Sequence, residues 1–243
     1  SRLQNTIKTV DESIATYRID HAAQAIYQFT WNEYCDWYLE LSKPVLTDEN
    51  ASEAAKRGTR RTLVQVLETL LRLTHPIMPF ITEEIWQRAA PLAGVSGKTV
   101  MTQPFPEADD SLVDAEAVAE MEWVKQFILG IRKIKGEMNI PLAKPVPVLL
   151  ANTSEQDRAW AEAARPYLDF LARTESVEIL PPGDKEPESA MALVGEMKVL
   201  IPLAGLIDKE AELKRLDKEM GKKRGEVERF EKKLSNPKFV DKA

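Results

Sequence analysis

Side chains that could act as nucleophiles, bases or metal ligands are few in this sequence. It has one cysteine, Cys35, and two histidines, His21 and His75. Cys35 lies among aromatic residues of a predicted helix, where a buried, inert thiol is the simpler interpretation. His75 precedes a proline at a predicted helix break, which favours a capping or core role, and His21 lies at a predicted helix start. We therefore expect no metal site and no histidine-based catalytic triad.

Carboxylates and phosphate-binding loops do not complete an active site either. The acidic pairs at 83–84 and 109–110 are adjacent in sequence, which does not place their side chains face to face. Neither of the glycine-rich phosphate-binding motifs, GxGxxG or GxxxxGK[ST], occurs. A hydrolase with carboxylates in the 89–110 segment is a minor alternative, because no positioned nucleophile or base accompanies them. We predict that this chain is not an enzyme by itself.

Composition and charge narrow the class of protein further. The 243 residues are 44% hydrophobic and 30% charged, as in soluble globular proteins. No apolar run reaches the ~20 residues that span a bilayer, and no signal-like segment follows Ser1. We expect a cytoplasmic chain with no membrane partner, cut from a longer protein.

The charge is unevenly distributed along the chain. The net charge is −6, yet residues 206–243 carry twelve Lys and Arg against nine Asp and Glu. The C-terminal segment therefore has a charge of +3 and the remainder −9. An anionic partner would favour the C-terminal segment.

Apolar periodicity predicts a mainly α-helical protein that begins with an antiparallel helical bundle. Asp20 is the predicted N-cap of the second helix, and Lys43-Pro44 its predicted end. Prolines make residues 89–110 look irregular. The predicted helices are 3–16, 20–42, 51–74, 80–88 and 112–138.

The pattern changes after the fifth helix. A small α/β unit is predicted, with strands at 145–151, 176–180 and 196–203 and a helix at 154–173. From Leu206 apolar residues then recur every seven positions, which predicts a coiled-coil helix and a turn near Pro237. The predicted domains are 1–140, 141–205 and 206–243, the last being the first helix and the tip of a truncated hairpin.

Three separated segments carry a family resemblance. They are IYQFTWNEYCDWYLELSKP at 26–44, LLRLTHPIMPFITEEIWQ at 70–87 and IRKIKGEMNIP at 131–141. In this order they resemble the C-terminal third of the bacterial valyl-tRNA synthetases, which are class I enzymes. The second segment alone marks the wider leucine, isoleucine and valine branch. Its combination with GEMNIP at 136–141, the α/β unit and the basic coiled coil is what indicates the valine members.

The resemblance implies a tRNA-binding function. The parent enzyme joins valine to its tRNA with ATP, whereas the family's HIGH and KMSKS motifs and editing domain are absent here. This part is therefore expected to bind tRNA(Val) without a cofactor of its own, beside the catalytic and editing domains of the same parent chain. ATP would belong to the catalytic domain.

The resemblance also implies an anticodon-binding surface on the helical domain. We expect it where the first helix begins and where the turn at 17–20 meets residues 79–81. Two arginines would donate hydrogen bonds to bases or phosphates, and three apolar side chains would pack on unpaired bases. Plain core packing is the alternative for the apolar members, and a solvated surface charge is the alternative for the two arginines. Relatives often have an aromatic residue in place of Ile19. The candidate residues are Arg2, Arg18, Ile19, Phe80 and Ile81.

A second expected surface is the coiled-coil arm, which in this family reaches toward the tRNA elbow. Residues 214–233 hold nine basic side chains against five acidic ones, which suits contacts with phosphates. The alternative is an ordinary coiled-coil exterior. The candidates are Arg215, Lys218, Lys222, Lys223, Arg224, Arg229, Lys232 and Lys233.

The chief rival function is a helical scaffold that uses its coiled coil to oligomerise and binds no RNA. We expect a monomer, with self-association through the truncated arm as the alternative.

Overall fold

A computed structural model describes residues 1–203 and 209–235. The protein is rich in helix, as the sequence predicted, and its small sheet is mixed and has four strands where the sequence predicted three. A π-helix over Phe29–Tyr38 joins α2 to α3. The helices are α1 (Arg2–Ala15), α2 (Ile19–Gln28), α3 (Leu39–Thr47), α4 (Glu53–Thr74), α5 (Pro79–Ala93), α6 (Ala115–Glu137), α7 (Glu155–Ala163), α8 (Arg165–Leu171) and α9 (Lys209–Leu234). The strands are β1 (Val146–Ala151), β2 (Thr174–Ile179), β3 (Ser189–Val194) and β4 (Met197–Pro202).

The first two helices pack on the end of α4. Ile7 and Val10 of α1 share a buried cluster with Ala22 and Ile26 of α2 and with Leu73 of α4. The three- and four-residue spacing of these apolar side chains is what directs one face of each helix inward.

The rod from α2 through α3 differs from its prediction at both ends. Asp20 lies inside the first turn of α2, after the N-cap Arg18. Pro44 lies inside α3, which ends only at Thr47. A proline removes one backbone donor, and this helix tolerates the loss because it ends within one turn and buries Leu41.

Helix α5 is longer than predicted, since it continues through Pro91 to Ala93. It ends at Gly94, whose φ of 78° is the left-handed conformation that glycine adopts at helix ends. Trp86 and Ala90 of α5 pack on Leu71 of α4 and on Val100, which covers α5 from the following segment.

The segment between α5 and α6 returns to the start of the chain. The side-chain oxygen of the buried Gln4 accepts a hydrogen bond from the Asp109 backbone N–H at 2.8 Å. The Ser1 hydroxyl accepts one from the Asp114 N–H at 2.9 Å. Residues more than 100 positions apart therefore meet at the beginning of α1.

The sheet has the strand order β2-β1-β4-β3. Strands β1 and β2 are parallel, joined by α7 and α8, whereas β4 is antiparallel to both β1 and β3. The prediction missed β3, an edge strand of sequence SAMALV that is poor in β-branched residues. It forms a hairpin with β4 through a two-residue turn that starts with Gly195 at φ 59°.

Helix α6 lies across β3 and β4, not only beside the other predicted bundle helices. Its buried side chains, among them Phe127 and Ile131, share one core with Val148 of β1 and Val199 of β4. Gly130 permits this approach, since a Cβ there would lie 3.0 Å from the Cβ of Ala192. One core therefore contains residues from both sides of position 140. The domain boundary predicted there stays a prediction.

A buried lysine holds the C-terminal end of α6. Lys135 is fully buried, and its Nζ donates to the carbonyl oxygens of Lys144 at 2.7 Å, Ala172 at 2.9 Å and Leu142 at 3.2 Å. These carbonyls precede β1 and β2. One ammonium group therefore fixes α6 against both strand entries.

Helix α9 confirms that the C-terminal segment is helical. Among the heptad side chains that the structure describes here, Met220, Val227 and Leu234 are each at least half exposed, as is Phe230. The predicted heptad residue Leu206 and the turn at Pro237 lie outside the described residues. No helix within 1–203 or 209–235 is long and apolar enough to cross a membrane.

Candidate nucleic-acid interface

The α1–α2 turn and the α4–α5 turn lie at the same end of the helical region. Helix α4 runs antiparallel to the α2 rod: the Tyr34 hydroxyl donates to the Leu63 carbonyl at 3.0 Å, Phe29 clusters with Leu70, and Ala22 clusters with Leu73. Continuing one turn further brings the start of α2 beside the start of α5. We call this surface the end face. Its exposed apolar side chains are Tyr17, Ile19, Met78, Phe80 and Ile81.

Helix α1 ends at this face in a Schellman motif. The Tyr17 N–H bonds to the Ile14 carbonyl at 3.0 Å, and the Arg18 N–H to the Ser13 carbonyl at 2.7 Å. Tyr17 adopts a φ of 58°, a left-handed conformation that costs a residue with a Cβ roughly 1–2 kcal/mol. The sequence placed Tyr17 in this turn but gave no sign of its conformation, because glycine is the usual residue there.

Arg18 follows with its guanidinium held by an aspartate. Its Nε donates to Oδ1 of Asp20 at 3.0 Å, and its Nη2 to Oδ2 at 2.8 Å. Nη2 also lies 2.5 Å from Nε2 of His21. The hydrogen bonds from Arg18 lower the pKa of Asp20 to about 2, and Asp20 in turn raises the pKa of Arg18. This side-on pair orients the arginine and leaves its Nη1 outside the pair.

The start of α5 is fixed by polar contacts at the end of α4. His75 is the C-cap residue of α4, and its Nδ1 lies 2.7 Å from the Thr82 hydroxyl. Pro79 occupies the first turn of α5, where its fixed φ suits a helix start. These contacts hold the first turn of α5, and with it Phe80, beside the end of α4.

Deeper in the molecule, a buried carboxylate joins α4 to α5. Glu68 is 2% exposed; its Oε1 accepts from Trp86 Nε1 at 2.9 Å, and its Oε2 from Arg72 Nη2 at 2.8 Å. Arg72 also donates to the Pro104 carbonyl at 3.0 Å. The network fixes the angle at which α5 presents its first turn.

The predicted apolar site residues are at the surface. Phe80 is 90% exposed and Ile19 and Ile81 are each 50% exposed, so the core-packing alternative is wrong for Phe80. Trp31, in the π-helix, is also 55% exposed. Tyr17 and Met78 extend the same surface and were not among the predicted site residues.

Arg2 lies away from the end face, so its predicted grouping with Arg18 is wrong. It begins α1, and a straight helix of this length separates its two ends by about 20 Å. Arg2 instead pairs with Glu122 of α6 at 2.9 Å. Its possible contact with tRNA stays a prediction, but it would occur at another surface.

Arg2 lies at the rim of a cleft of about 270 Å³ between α1, the π-helix, α4 and α6. Lys125 lies 5.7 Å from the centre of the Trp37 ring and pairs with Glu33 at 2.6 Å. Burial raises the pKa of Tyr34, which also lines the cleft, to about 12. The charged groups named here are paired within the protein.

Two of the carboxylates considered for catalysis have structural roles. Glu83 accepts from the Thr99 hydroxyl and the Val100 N–H, and hydrogen bonds led by that from Gln87 lower its pKa. Asp109 caps a short turn, and its hydrogen bond from Ser111 lowers its pKa. In the described part of the chain, no group of three or more His, Cys, Asp and Glu could hold a metal ion.

The predicted arm residues lie on α9. The exposed side chains described on this helix carry both signs of charge, and Lys223 pairs with Glu226 at 2.8 Å. The backbones of Arg215 and Lys233 also lie in α9. The exposed cations are Lys218, Lys222, Lys223, Arg224, Arg229 and Lys232.

Comparison with known families decides what these surfaces belong to. Residues 1–150 match the anticodon-binding domain of tRNA ligases. The chain belongs to this family. Residues 208–243 match the tRNA-binding arm of valyl-tRNA synthetases. The protein is therefore a tRNA-binding, C-terminal portion of a valyl-tRNA synthetase, as the resemblance implied, and the scaffold alternative is not favoured.

The two matches also bear on domain organisation and activity. The anticodon-binding match continues through most of β1, ten residues past the boundary predicted at 140. Both matched regions bind tRNA in aminoacyl-tRNA synthetases, which are ligases, and neither is a catalytic region.

Proposed function

We propose that the end face binds the anticodon loop of tRNA(Val). The observation that carries this proposal is Phe80, an aromatic side chain 90% exposed at a rigid helix start within an anticodon-binding domain. Stacking of a base on an aromatic side chain contributes about 1–3 kcal/mol. Ile19 and Ile81 would cover the same base laterally. Helices α1–α5 would form the antiparallel bundle of a class I synthetase.

Arg18 would supply the selectivity. Its pairing with Asp20 fixes the guanidinium plane, so its Nη1 would meet a base edge with little loss of side-chain entropy. Valine anticodons share adenine and cytosine as second and third bases, and a held arginine donates to acceptors on both. The carboxylate of Asp20 also balances the positive charge of Arg18. The contact between Arg18 and the RNA would therefore depend more on the identity of the base than on attraction to phosphates.

The arm would contribute affinity without reading sequence. Cations on α9 that contact phosphates displace counterions, so each contact adds about 0.7–0.9 to the slope of log K against log salt. Arg215 and Lys233 would extend the row of exposed cations along the helix. We propose that this surface binds the tRNA elbow, where backbone shape and charge dominate.

Binding assays with the whole chain test both assignments. We expect tRNA(Val) to bind more tightly than the same tRNA with its second and third anticodon bases replaced. Arg18→Gln should reduce that discrimination. Lys222→Gln, Lys223→Gln and Arg224→Gln together should lower affinity and the salt slope while leaving discrimination intact. Equal binding of both tRNAs by the wild-type chain would refute the anticodon proposal, and equal effects of both sets of substitutions would refute the division of roles.

We further propose that this chain alone does not attach valine, and that ATP is bound by the catalytic domain of the parent enzyme. Valine-dependent exchange of pyrophosphate into ATP should be at background level with the purified chain. Measurable exchange would refute this.

We also propose that the chain is a monomer. Sedimentation should then give a mass near 27.4 kDa at low concentration. A mass that rises with concentration would indicate pairing through the exposed apolar side of α9.

A further inference from the structure

Tyr17 occupies a position where the backbone favours glycine. In a Schellman motif the first residue past the helix cap has a positive φ, and glycine is the usual choice because it has no Cβ. Tyr17 has a φ of 58° there, with both characteristic hydrogen bonds present. A bulky aromatic residue at such a site is a conformational outlier.

The fold explains the other positive-φ residues better than it explains Tyr17. In the described residues these include Asn139, Asn152 and Arg173. Asparagine tolerates this conformation. The guanidinium of Arg173 lies 5.4 Å from the Phe170 ring centre, and its carbonyl faces the ammonium group of Lys135. Tyr17 is 90% exposed, so burial does not offset its backbone cost.

Its location points to a ligand. The antiparallel packing of α4 on the α2 rod places Tyr17 at the same end as Phe80, and both rings are 90% exposed. Residues held in unfavourable conformations are concentrated at functional sites. Two exposed aromatic rings on one rigid face are the arrangement that binds unpaired bases by stacking.

We propose that Tyr17 is a second stacking residue, which binds one unpaired base of the RNA loop while Phe80 binds another. This deepens the proposed function and rests on it. The Schellman turn directs the phenol ring away from the protein, and its hydrogen bonds prevent the turn from unfolding around the ligand. The unfavourable φ of Tyr17 would therefore be retained because it holds the phenol ring in position for a base.

The test is binding of the whole chain to the anticodon stem-loop of tRNA(Val), measured for Tyr17→Asn and Tyr17→Phe. Asparagine suits the left-handed backbone but removes the ring, whereas phenylalanine keeps the ring. We expect Tyr17→Asn to weaken binding at least about fivefold, the lower end of what base stacking contributes, without lowering the melting temperature. Tyr17→Phe should bind within about twofold of wild type. Tyr27→Asn is the control, since Tyr27 is 65% exposed on α2 and away from the face.

Abasic substitutions in the RNA loop identify the partner base. At one loop position the abasic RNA should bind wild type and Tyr17→Asn equally, because the stacking contact is already missing. If wild type distinguishes the correct loop from a scrambled one, yet Tyr17→Asn binds like wild type, this inference is wrong and the proposed function stands. If wild type does not distinguish the loops, the proposed function itself fails. A lower melting temperature with equal losses for Phe and Asn would assign Tyr17 a structural role instead.

Discussion

Replacing Glu68 by glutamine should loosen the attachment of α5 to α4. Glutamine preserves the size of the side chain and one acceptor for Trp86, but it removes the negative charge that faces Arg72. Removing one partner of a fully buried ion pair costs ~3–5 kcal/mol. Arg72 is 22% exposed and still donates to the Pro104 carbonyl, so we expect a smaller loss of about 2–3 kcal/mol.

Thermal unfolding followed by circular dichroism measures this loss. For a chain of this size each kcal/mol corresponds to about 2–4 °C, so the melting temperature should fall by about 4–12 °C. Glu84→Gln is a matched control: Glu84 pairs with Arg88 at the same four-residue spacing and 2.7 Å, but these side chains are 66% and 81% exposed. That substitution should cost under about 0.5 kcal/mol.

A double-mutant cycle with Arg72→Gln isolates the interaction itself. We expect a coupling free energy of at least about 1 kcal/mol between Glu68 and Arg72, because their groups share one network. Additive effects, or a loss for Glu68→Gln no larger than that for Glu84→Gln, would refute the conclusion that this carboxylate joins the two helices.

Two further predictions follow from the charged groups of the fold. Lys135→Met should lower the free energy of unfolding by about 2–4 kcal/mol, since buried carbonyls lose a charged donor. Urea titration measures this loss, with Lys133→Met at an exposed position of the same helix as the control. Equal losses in the two variants would refute the role of Lys135. The carboxyl carbon of Asp20 should titrate by NMR with a midpoint near pH 2, moving toward about 4 in Arg18→Gln. Because the folded pKa is lowered, the stabilising contribution of Asp20 should be complete above the unfolded value and be lost as the pH falls toward 2. An unchanged midpoint in the variant would contradict the pairing.

Most helices could be predicted from apolar spacing, because packing and local pattern agree there. The exceptions are places where tertiary contacts override local preference. Pro44 and Pro91 remain inside helices that bury neighbouring side chains. Strand β3 has little strand-forming character of its own and depends on its hairpin with β4. The sharing of α6 between helices and sheet depends on Gly130, whose role no single-helix pattern reveals.

The site was predicted by resemblance more than by physics. Phe80, Ile19 and Ile81 were assigned to one surface, and their exposure agrees with a surface role. Arg2 was grouped with them, although helix length alone places it about 20 Å away. Tyr17 could not be selected, because a positive φ at a tyrosine depends on the path of the chain and not on residue type.

The contact between Gln4 and Asp109 has a consequence for synthesis on the ribosome. The two residues are 105 positions apart, and a chain grows at ~5–20 residues per second, so Asp109 is added about 5–20 s after Gln4. Throughout that interval the beginning of α1 lacks the strand of chain that completes its packing. The rate of translation through these 105 codons therefore sets how long the beginning of α1 stays without this contact.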